Sequence, residues 1–214
     1  NSLDLVGNKK LAKELMLESM NTIPQSYIEK TIDFNNIESK IKSFIYREKK
    51  IVTVLSLLIS ALSKALLENK FFNSYRKENK LFFYNQINIG VVINHEDKLS
   101  IAVIKNANEL KPVDIVLELM RIRKDLAKNK PNIEDLSGGT CTISAMDHTE
   151  IKRFIPIVHP QQAIVIALPS LQEKNLIDEN GKIIKSKYIN MGLSFDHSYL
   201  DAIKASEFIN QLEK

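Results

Sequence analysis

A histidine followed four residues later by an aspartate, in Asp196-His197-Ser198-Tyr199-Leu200-Asp201-Ala202, closes a strand-like stretch near the end of this 214-residue chain. Neutral imidazole is the side chain best suited to take a proton from a thiol or hydroxyl near neutral pH, and a nearby carboxylate can fix the local geometry. The same spacing arises at ordinary helix starts, where the aspartate is a cap and the histidine is partly exposed. A second run, Gly138-Gly139-Thr140-Cys141-Thr142-Ile143-Ser144, places a strand-end hydroxyl 53 residues before His197. Acyl transfer from a thioester needs a base for the incoming thiol or hydroxyl and a donor for the oxyanion of the tetrahedral intermediate. The base contributes about 10²–10⁴-fold in rate and one oxyanion donor about 10²–10³-fold, so neither suffices alone.

Taken together, the two motifs resemble the catalytic domain of the dihydrolipoamide acyltransferases of 2-oxoacid dehydrogenase complexes and, more distantly, chloramphenicol acetyltransferase. Between them, Phe154-Ile155-Pro156-Ile157-Val158-His159-Pro160-Gln161-Gln162-Ala163 is similar to the family's apolar segment ending in Asn-Pro-Pro-Gln-Ala. Lys9 to Lys13, Glu18-Ser19 and Thr22-Ile23-Pro24 are similar to its opening helix and the Thr-Ile-Pro after it, and Ile87 to Val92 with Leu99 to Ala107 resemble its strand pair ending in Val-Ile-Arg-Asn-Ala. The resemblance covers nearly the whole chain. It implies an α/β, chloramphenicol acetyltransferase-like fold in which helices flank a mixed central sheet. It also implies His197 as base on one leg and acid on the other, Ser144 as oxyanion donor, and no covalent acyl-enzyme. The acyl donor would be coenzyme A, as acyl-CoA, or a carrier thioester; no residue is assigned to binding it. The active site would lie between the subunits of a homotrimer or larger trimer-based assembly.

Asp201 matches the family's structural carboxylate, with Asp196 beside the histidine as a second structural acid. The helix-one arginine that pairs with that carboxylate falls here at Leu15, leaving Lys10 or Lys13 as substitutes, although an ammonium cannot reproduce a bidentate guanidinium contact. Further departures are Ser198 and Ala202 in place of Arg and Gly, Ala145-Met146-Asp147 after the serine, and Ala167-Leu168-Pro169 in place of Gly-Val-Gly. Loss of glycine at Ala202 is harmless if φ is negative there. These changes favour an altered acceptor, so the expected function is transfer of a short acyl group to a small-molecule hydroxyl, as in tetronate-type secondary metabolism. The alternatives are the core transacylase of a 2-oxoacid dehydrogenase complex, with dihydrolipoamide as the thiol, and a scaffold subunit whose catalysis has decayed.

Composition bounds these readings. A chain of this length with 44 % hydrophobic residues fits one domain, 1–214, with a substantial core. Its longest uncharged apolar run, Ile51 to Ser63, is too short for a bilayer, which argues against a membrane protein. A single cysteine and the lack of a signal pattern point to the cytoplasm. The net charge of +4 suits an anionic substrate, but the cations are dispersed among 26 acids, so no nucleic-acid partner is expected. Lys49-Lys50 and Lys128-Asn129-Lys130 read as solvated helix ends. His95, His148 and His159 read as surface or turn residues with no metal site, and Cys141 as an inert packed thiol.

The elements that must position this chemistry follow from periodicity. A first helix spans 8 to 20, and a strand-like run from Tyr27 to Phe34 leads to a helix capped by Asn35 or Asn36. An all-apolar helix runs from Ile51 to Leu67, suited to burial between the sheet and other helices or a subunit. Strands over Leu81–Tyr84, Ile87–Asn94 and Leu99–Ile104 form a meander, with His95-Glu96-Asp97-Lys98 as a turn. A helix over Val113–Ala127 opens at Pro112. Strands follow over Cys141–Ser144 and Ala163–Leu168, then a hairpin about Asn180-Gly181 joins Leu176-Ile177 to the long run Ile183–Phe195. A helix from Leu200 ends the chain.

Overall fold

The computed structural model describes residues 7–95, 98–177, 179 and 181–213, without the side chains of Asn8, Glu48, His95 and Lys98. Helix α1 (Asn8–Thr22) leads into strand β1 (Gln25–Asp33), followed by α2 (Phe34–Glu48) and α3 (Val54–Glu68). Strands β2 (Ser74–Lys77), β3 (Lys80–Phe83), β4 (Ile89–His95) and β5 (Lys98–Ile104) precede helix α4 (Pro112–Ala127). The remainder is β6 (Cys141–Ala145), β7 (Ile164–Leu168), β8 (Gln172–Ile177), β9 (Ile183–Asp196) and α5 (Ala202–Gln211). Seven strands form one sheet in the order β1-β9-β7-β6-β4-β5, with β8 also paired to β9. The β4–β6 and β6–β7 pairs are parallel and the others antiparallel. The mixed sheet flanked by helices is therefore the expected architecture.

Local chemistry accounts for the helix starts. Thr53 and Ser56 form a reciprocal capping box that opens α3, satisfying backbone groups that the first turn leaves free. Pro112 occupies the first turn of α4, where its missing N–H costs nothing. Helix α2 is capped by Asp33, whose side chain accepts from the Asn35 N–H, rather than by Asn35 or Asn36. Helix α5 begins at Ala202, two residues after the expected start, because Asp201 supplies its cap. Lys49 and Lys128 lie at the exposed ends of α2 and α4 as expected.

The expected three-stranded meander is corrected by the register. Only β4 and β5 pair as neighbours there, whereas β3 pairs with β2 in a separate two-stranded sheet. Tyr75 and Phe82 stack across that hairpin with ring centres 5.2 Å apart, and such cross-strand aromatic pairs stabilise a register. Strand β2 was not anticipated, since Ser-Tyr-Arg-Lys carries no alternation of apolar and polar residues. The turn residues Glu96, Asp97 and Asn180 lie outside the described residues.

Alternation along the strands separates the two faces of the main sheet. Ile89, Val91, Ile104, Cys141, Ile143, Ile164, Ile166, Met191, Leu193 and Phe195 belong to one core with α3, α4 and α5. The pairing register puts Tyr27, Glu29, Gly90, Thr142, Ser144, Val165, Ala167, Gly192 and Ser194 on the other face. That face carries smaller and more polar side chains. Phe71 and Phe72 split between environments. Phe72 is buried and stacks on Phe208 with ring centres 4.1 Å apart, whereas Phe71 is exposed.

The Phe72–Phe208 stack joins α5 to the core, so Phe208→Ala should destabilise the fold by about 3–5 kcal/mol, in line with aromatic truncation in a packed interior. Urea denaturation followed by far-UV circular dichroism measures this; a shift below 1 kcal/mol, on the order of a surface substitution, would contradict the packing described.

Candidate active site

His197 leaves the C-terminal end of β9 as the first residue of a turn, and its side chain is exposed. Its backbone N–H donates to the Pro24 carbonyl at 2.8 Å, anchoring the turn to the junction of α1 and β1. Asp196 is only 2 % exposed. Its Oδ1 accepts from the Ser198 N–H at 2.9 Å and from the Ser198 hydroxyl at 2.6 Å, while Arg76 Nε lies 3.7 Å from Oδ2. A carboxylate this deeply buried is tolerated only with such partners. The Tyr199 hydroxyl meets Ser74 Oγ at 3.1 Å, and the ring of His197 lies 5.5 Å from that of Phe195.

Asp201 plays a different part. It accepts from the Lys204 N–H at 2.8 Å as the cap of α5 and pairs with Lys204 Nζ at 3.6 Å. The backbone hydrogen bond of Lys204 holds its carboxyl below the usual carboxylate value, as expected for an anion at a helix N-terminus. Its cation is thus Lys204, not Lys10 or Lys13. Arg76 is the guanidinium of this region, and it serves Asp196. Nothing local in the sequence links Arg76 to a turn 122 residues later. Ala202 lies within α5, so the missing glycine carries no conformational penalty there.

Ser144 is half-buried near the C-terminal end of β6. The register aligns Ser144 with Ala167 and Ala167 with Gly192. His197 lies five residues beyond Gly192, toward the opposite end of the sheet. That is about 17 Å along the strand and about 10 Å across two strand spacings, so within one chain the two groups are about 20 Å apart. One chain does not bring His197 and Ser144 together. Of the altered positions, Met146 and Pro169 sit at the Ser144 end, where the Met146 N–H donates to the Leu168 carbonyl at 2.8 Å, and Ser198 and Ala202 sit at the His197 end.

The irregular segment from Met146 to Gln162 crosses the polar face between these ends. Near Ser144 its Ile151 carbonyl accepts from Ser170 Oγ at 2.8 Å. Midway, Arg153 clamps Glu29 with two 2.7 Å hydrogen bonds, and the Tyr27 hydroxyl donates to Glu29 at 3.1 Å. At the far end Val158 donates to Gln25 Oε1 at 2.9 Å and its carbonyl accepts from Ser19 Oγ. Gly192 permits this arrangement, since a Cβ there would lie 2.3 Å from the Tyr27 hydroxyl. Burial pushes the phenols of Tyr27, Tyr84 and Tyr199 up to about 12, leaving them as neutral hydrogen-bonding groups rather than bases at neutral pH.

His148 is exposed beside Asp147, at 3.6 Å, and His159 Nδ1 lies 2.6 Å from the Pro160 carbonyl. The side chain of His95 lies outside the described residues. Among the described residues no three His, Cys, Asp or Glu side chains gather as a metal site, and no helix is long and apolar enough to cross a membrane. Cys141 is fully buried in β6.

A mixed sheet covered by helices on one face, with a histidine at one end and a serine near the other, defines the architecture of a chloramphenicol acetyltransferase-like acyltransferase domain. Chloramphenicol acetyltransferase superposes with a TM-score of 0.58 at 13 % identity, covering 94 % of this chain and 92 % of that one. The chain belongs to the family of 2-oxoacid dehydrogenases acyltransferase (catalytic domain), which matches residues 1–214. The dihydrolipoyllysine-residue acetyltransferase component of the pyruvate dehydrogenase complex of Rickettsia conorii is 29 % identical over 210 residues, covering 96 % of this chain and 51 % of that protein. The lipoamide acyltransferase component of the branched-chain alpha-keto acid dehydrogenase complex of Bacillus subtilis is 26 % identical, covering 99 % of this chain and 51 % of that protein. The chain thus spans about half the length of these curated relatives. A probable dihydrolipoamide acetyltransferase from Listeria monocytogenes superposes with a TM-score of 0.89 at 25 % identity, covering 100 % of this chain and 92 % of that one.

Burial raises the Cys141 thiol from its ordinary 9.0 to about 12. The stability linked to this neutral thiol is complete below the ordinary value and is lost as pH rises toward the folded one. A thiol reagent at pH 8 should therefore label Cys141 only after denaturant unfolds the chain; stoichiometric labelling of the native protein would show that the site is not packed as described.

Proposed function

We propose that this chain is the core transacylase domain of a 2-oxoacid dehydrogenase complex, passing an acyl group between dihydrolipoamide and coenzyme A. The match to that family across residues 1–214 carries this reading. It is supported by the names of the relatives, which are dihydrolipoyllysine and lipoamide acyltransferase components. The altered loops led the sequence to suggest a small-alcohol acceptor of the tetronate type, and the comparisons favour the dehydrogenase-complex alternative instead. No observation favours a decayed scaffold over an active enzyme.

His197 takes the proton from the incoming thiol, whose sulfur attacks the thioester carbonyl. The Ser144 hydroxyl of a neighbouring subunit donates to the oxyanion that forms, and the intermediate collapses as the leaving thiolate recovers the proton from His197. No acyl-enzyme bond is made. The dihydrolipoamide acetyltransferase of Azotobacter vinelandii, which superposes with a TM-score of 0.86 at 18 % identity, has been studied for the role of a serine, a histidine and an asparagine in its catalytic mechanism. Here Asp201, four residues after His197, occupies the corresponding place in that order.

The opposite placement of Ser144 and His197 within one chain supports assembly of the site between subunits, with a trimer as the smallest active unit. The β8–β9 hairpin offers a surface for that contact. Strand β1 accompanies β9 only as far as Tyr188, leaving Ile177 and Ile183 exposed beyond it. One neighbouring solved structure is described as the cubic core of the pyruvate dehydrogenase complex, with a TM-score of 0.87 at 19 % identity. A cage built from trimers is the corresponding proposal for this chain.

His197→Ala should lower turnover at least about 10²-fold, and Ser144→Ala about 10²–10³-fold, measured with acetyl-CoA and dihydrolipoamide. Mixing the two inactive variants should restore activity if each trimer interface unites one chain's histidine with another's serine. An active monomer in light scattering at assay concentration contradicts the intersubunit site. Acetylation of small alcohols with no turnover of dihydrolipoamide would return the function to the small-acceptor reading.

A further inference from the structure

The guanidinium of Arg76 is the largest polar hub of the His197 turn, and neither the family match nor the resemblance assigns it a part. Its Nε donates to Ser198 Oγ at 2.8 Å, and the Ser198 hydroxyl in turn donates to Asp196 Oδ1 at 2.6 Å. Its Nη2 donates to the Thr22 carbonyl at the end of α1 at 2.5 Å, and its Nη1 to the Glu78 carbonyl in the β2–β3 turn at 3.0 Å. One side chain therefore ties three separate segments together, and the residues on either side of His197 are both in its network.

From this geometry we propose that Arg76 is the positioning residue of the catalytic turn, holding His197 in its working orientation through Asp196 and Ser198. The proposal rests on His197 acting as the base. Asp196 is nearly excluded from water and its Oδ1 is already occupied by Ser198, so Arg76 provides the compensating cation for that buried charge. The His197 N–H is fixed to Pro24, two residues after the Thr22 carbonyl that Arg76 grips. Arg76 and the His197 backbone thus hold the same junction from two sides. Removing the guanidinium takes away the turn's ties to the Thr22 carbonyl and to the Glu78 carbonyl of the hairpin, leaving the His197–Pro24 hydrogen bond to hold a chemically unaltered imidazole.

Such a role appears in turnover rather than in binding, because a displacement of about 1 Å at a reacting group can cost about 10²-fold in rate. Lysine keeps the charge but cannot span the same set of acceptors, which are arranged for a planar fork. Ser198→Ala breaks the relay to Asp196 at an exposed position, with little risk to the fold.

Transfer of acetyl from acetyl-CoA to dihydrolipoamide is measured on the assembled protein for Arg76→Gln, Arg76→Lys, Ser198→Ala, Asp196→Asn and the Arg76→Gln/Asp196→Asn double variant. For Arg76→Gln we expect kcat to fall about 10- to 100-fold, with both KM values within about twofold and a lowered Tm from the uncompensated Asp196 carboxylate, which the double variant restores. Arg76→Lys should recover part of that loss, Ser198→Ala should lower kcat several-fold, and the double variant should lose little more than Asp196→Asn alone, as coupled residues do. Unchanged kcat in Arg76→Gln, or in Ser198→Ala if Arg76→Gln does not fold, overturns the proposal. So do multiplicative losses in the double variant, or a loss of Tm and kcat together that lysine does not relieve. His197→Ala run in parallel separates the two ideas, because activity retained there removes the base itself, whereas an inactive His197→Ala beside a fully active Arg76→Gln removes only the positioning role.

Discussion

Strand β9 hydrogen-bonds to β1, β7 and β8, and the rest of the site is placed by that pairing. Its C-terminal end delivers His197 at one rim of the sheet. Its middle fixes the row that runs through Gly192 and Ala167 to Ser144. Its N-terminal part pairs with β8 and extends past the end of β1. Because the rise per residue and the spacing between strands are fixed by backbone geometry, the separation of His197 from Ser144 is not adjustable by side-chain motion. With His197 as the proposed base and Ser144 as the proposed oxyanion donor, a separation of about 20 Å in one chain means that a second chain would have to bring the missing partner. Under that proposal assembly and catalysis are one requirement.

The two faces of the sheet divide the labour. One face buries branched aliphatic side chains against α3, α4 and α5, and this burial supplies the stability that allows the other face to be small and polar. On the polar face the chain spends hydrogen bonds on holding an irregular strap in place, through Ser170, Glu29, Gln25 and Ser19. A segment without regular structure has no internal ladder for its backbone groups, so side chains from the sheet and α1 must satisfy them. That strap joins the Ser144 end to the His197 end, which gives the two half-sites a common frame.

Charge is handled in the same economical way at the histidine turn. Asp196 and Asp201 flank His197 in the sequence and look interchangeable there, yet one is buried and the other exposed. Asp201 finds its donors at the start of the next helix, where backbone N–H groups are free, and so needs no distant cation. Asp196 has no such local supply beyond Ser198 and draws on Arg76 from the β2–β3 hairpin. The two substitutions at this turn that distinguish the chain from the family pattern, Ser198 and Ala202, therefore fit together. Ser198 acts as a bridge to Arg76, and Ala202 simply joins a helix.

Residue order alone determined the helices that begin with Pro112 or carry long apolar periodicity, the paired strands β4 and β5, and the candidacy of His197 and Ser144. These are local signals, set by periodicity and by motifs read in order along the chain. It could not determine that Asp33 rather than Asn35 caps α2, since several residues at that junction have the right chemistry and only the strand's end decides among them. Nor could it reveal β2, whose pairing with β3 rests on cross-strand aromatic contact rather than on its own pattern. The tertiary structure alone decided that Arg76 serves Asp196. Lys204 reaches Asp201 within one helical turn, whereas Arg76 reaches Asp196 through a fold that closes a gap of more than a hundred residues, and contact across such a separation leaves no local trace in a sequence.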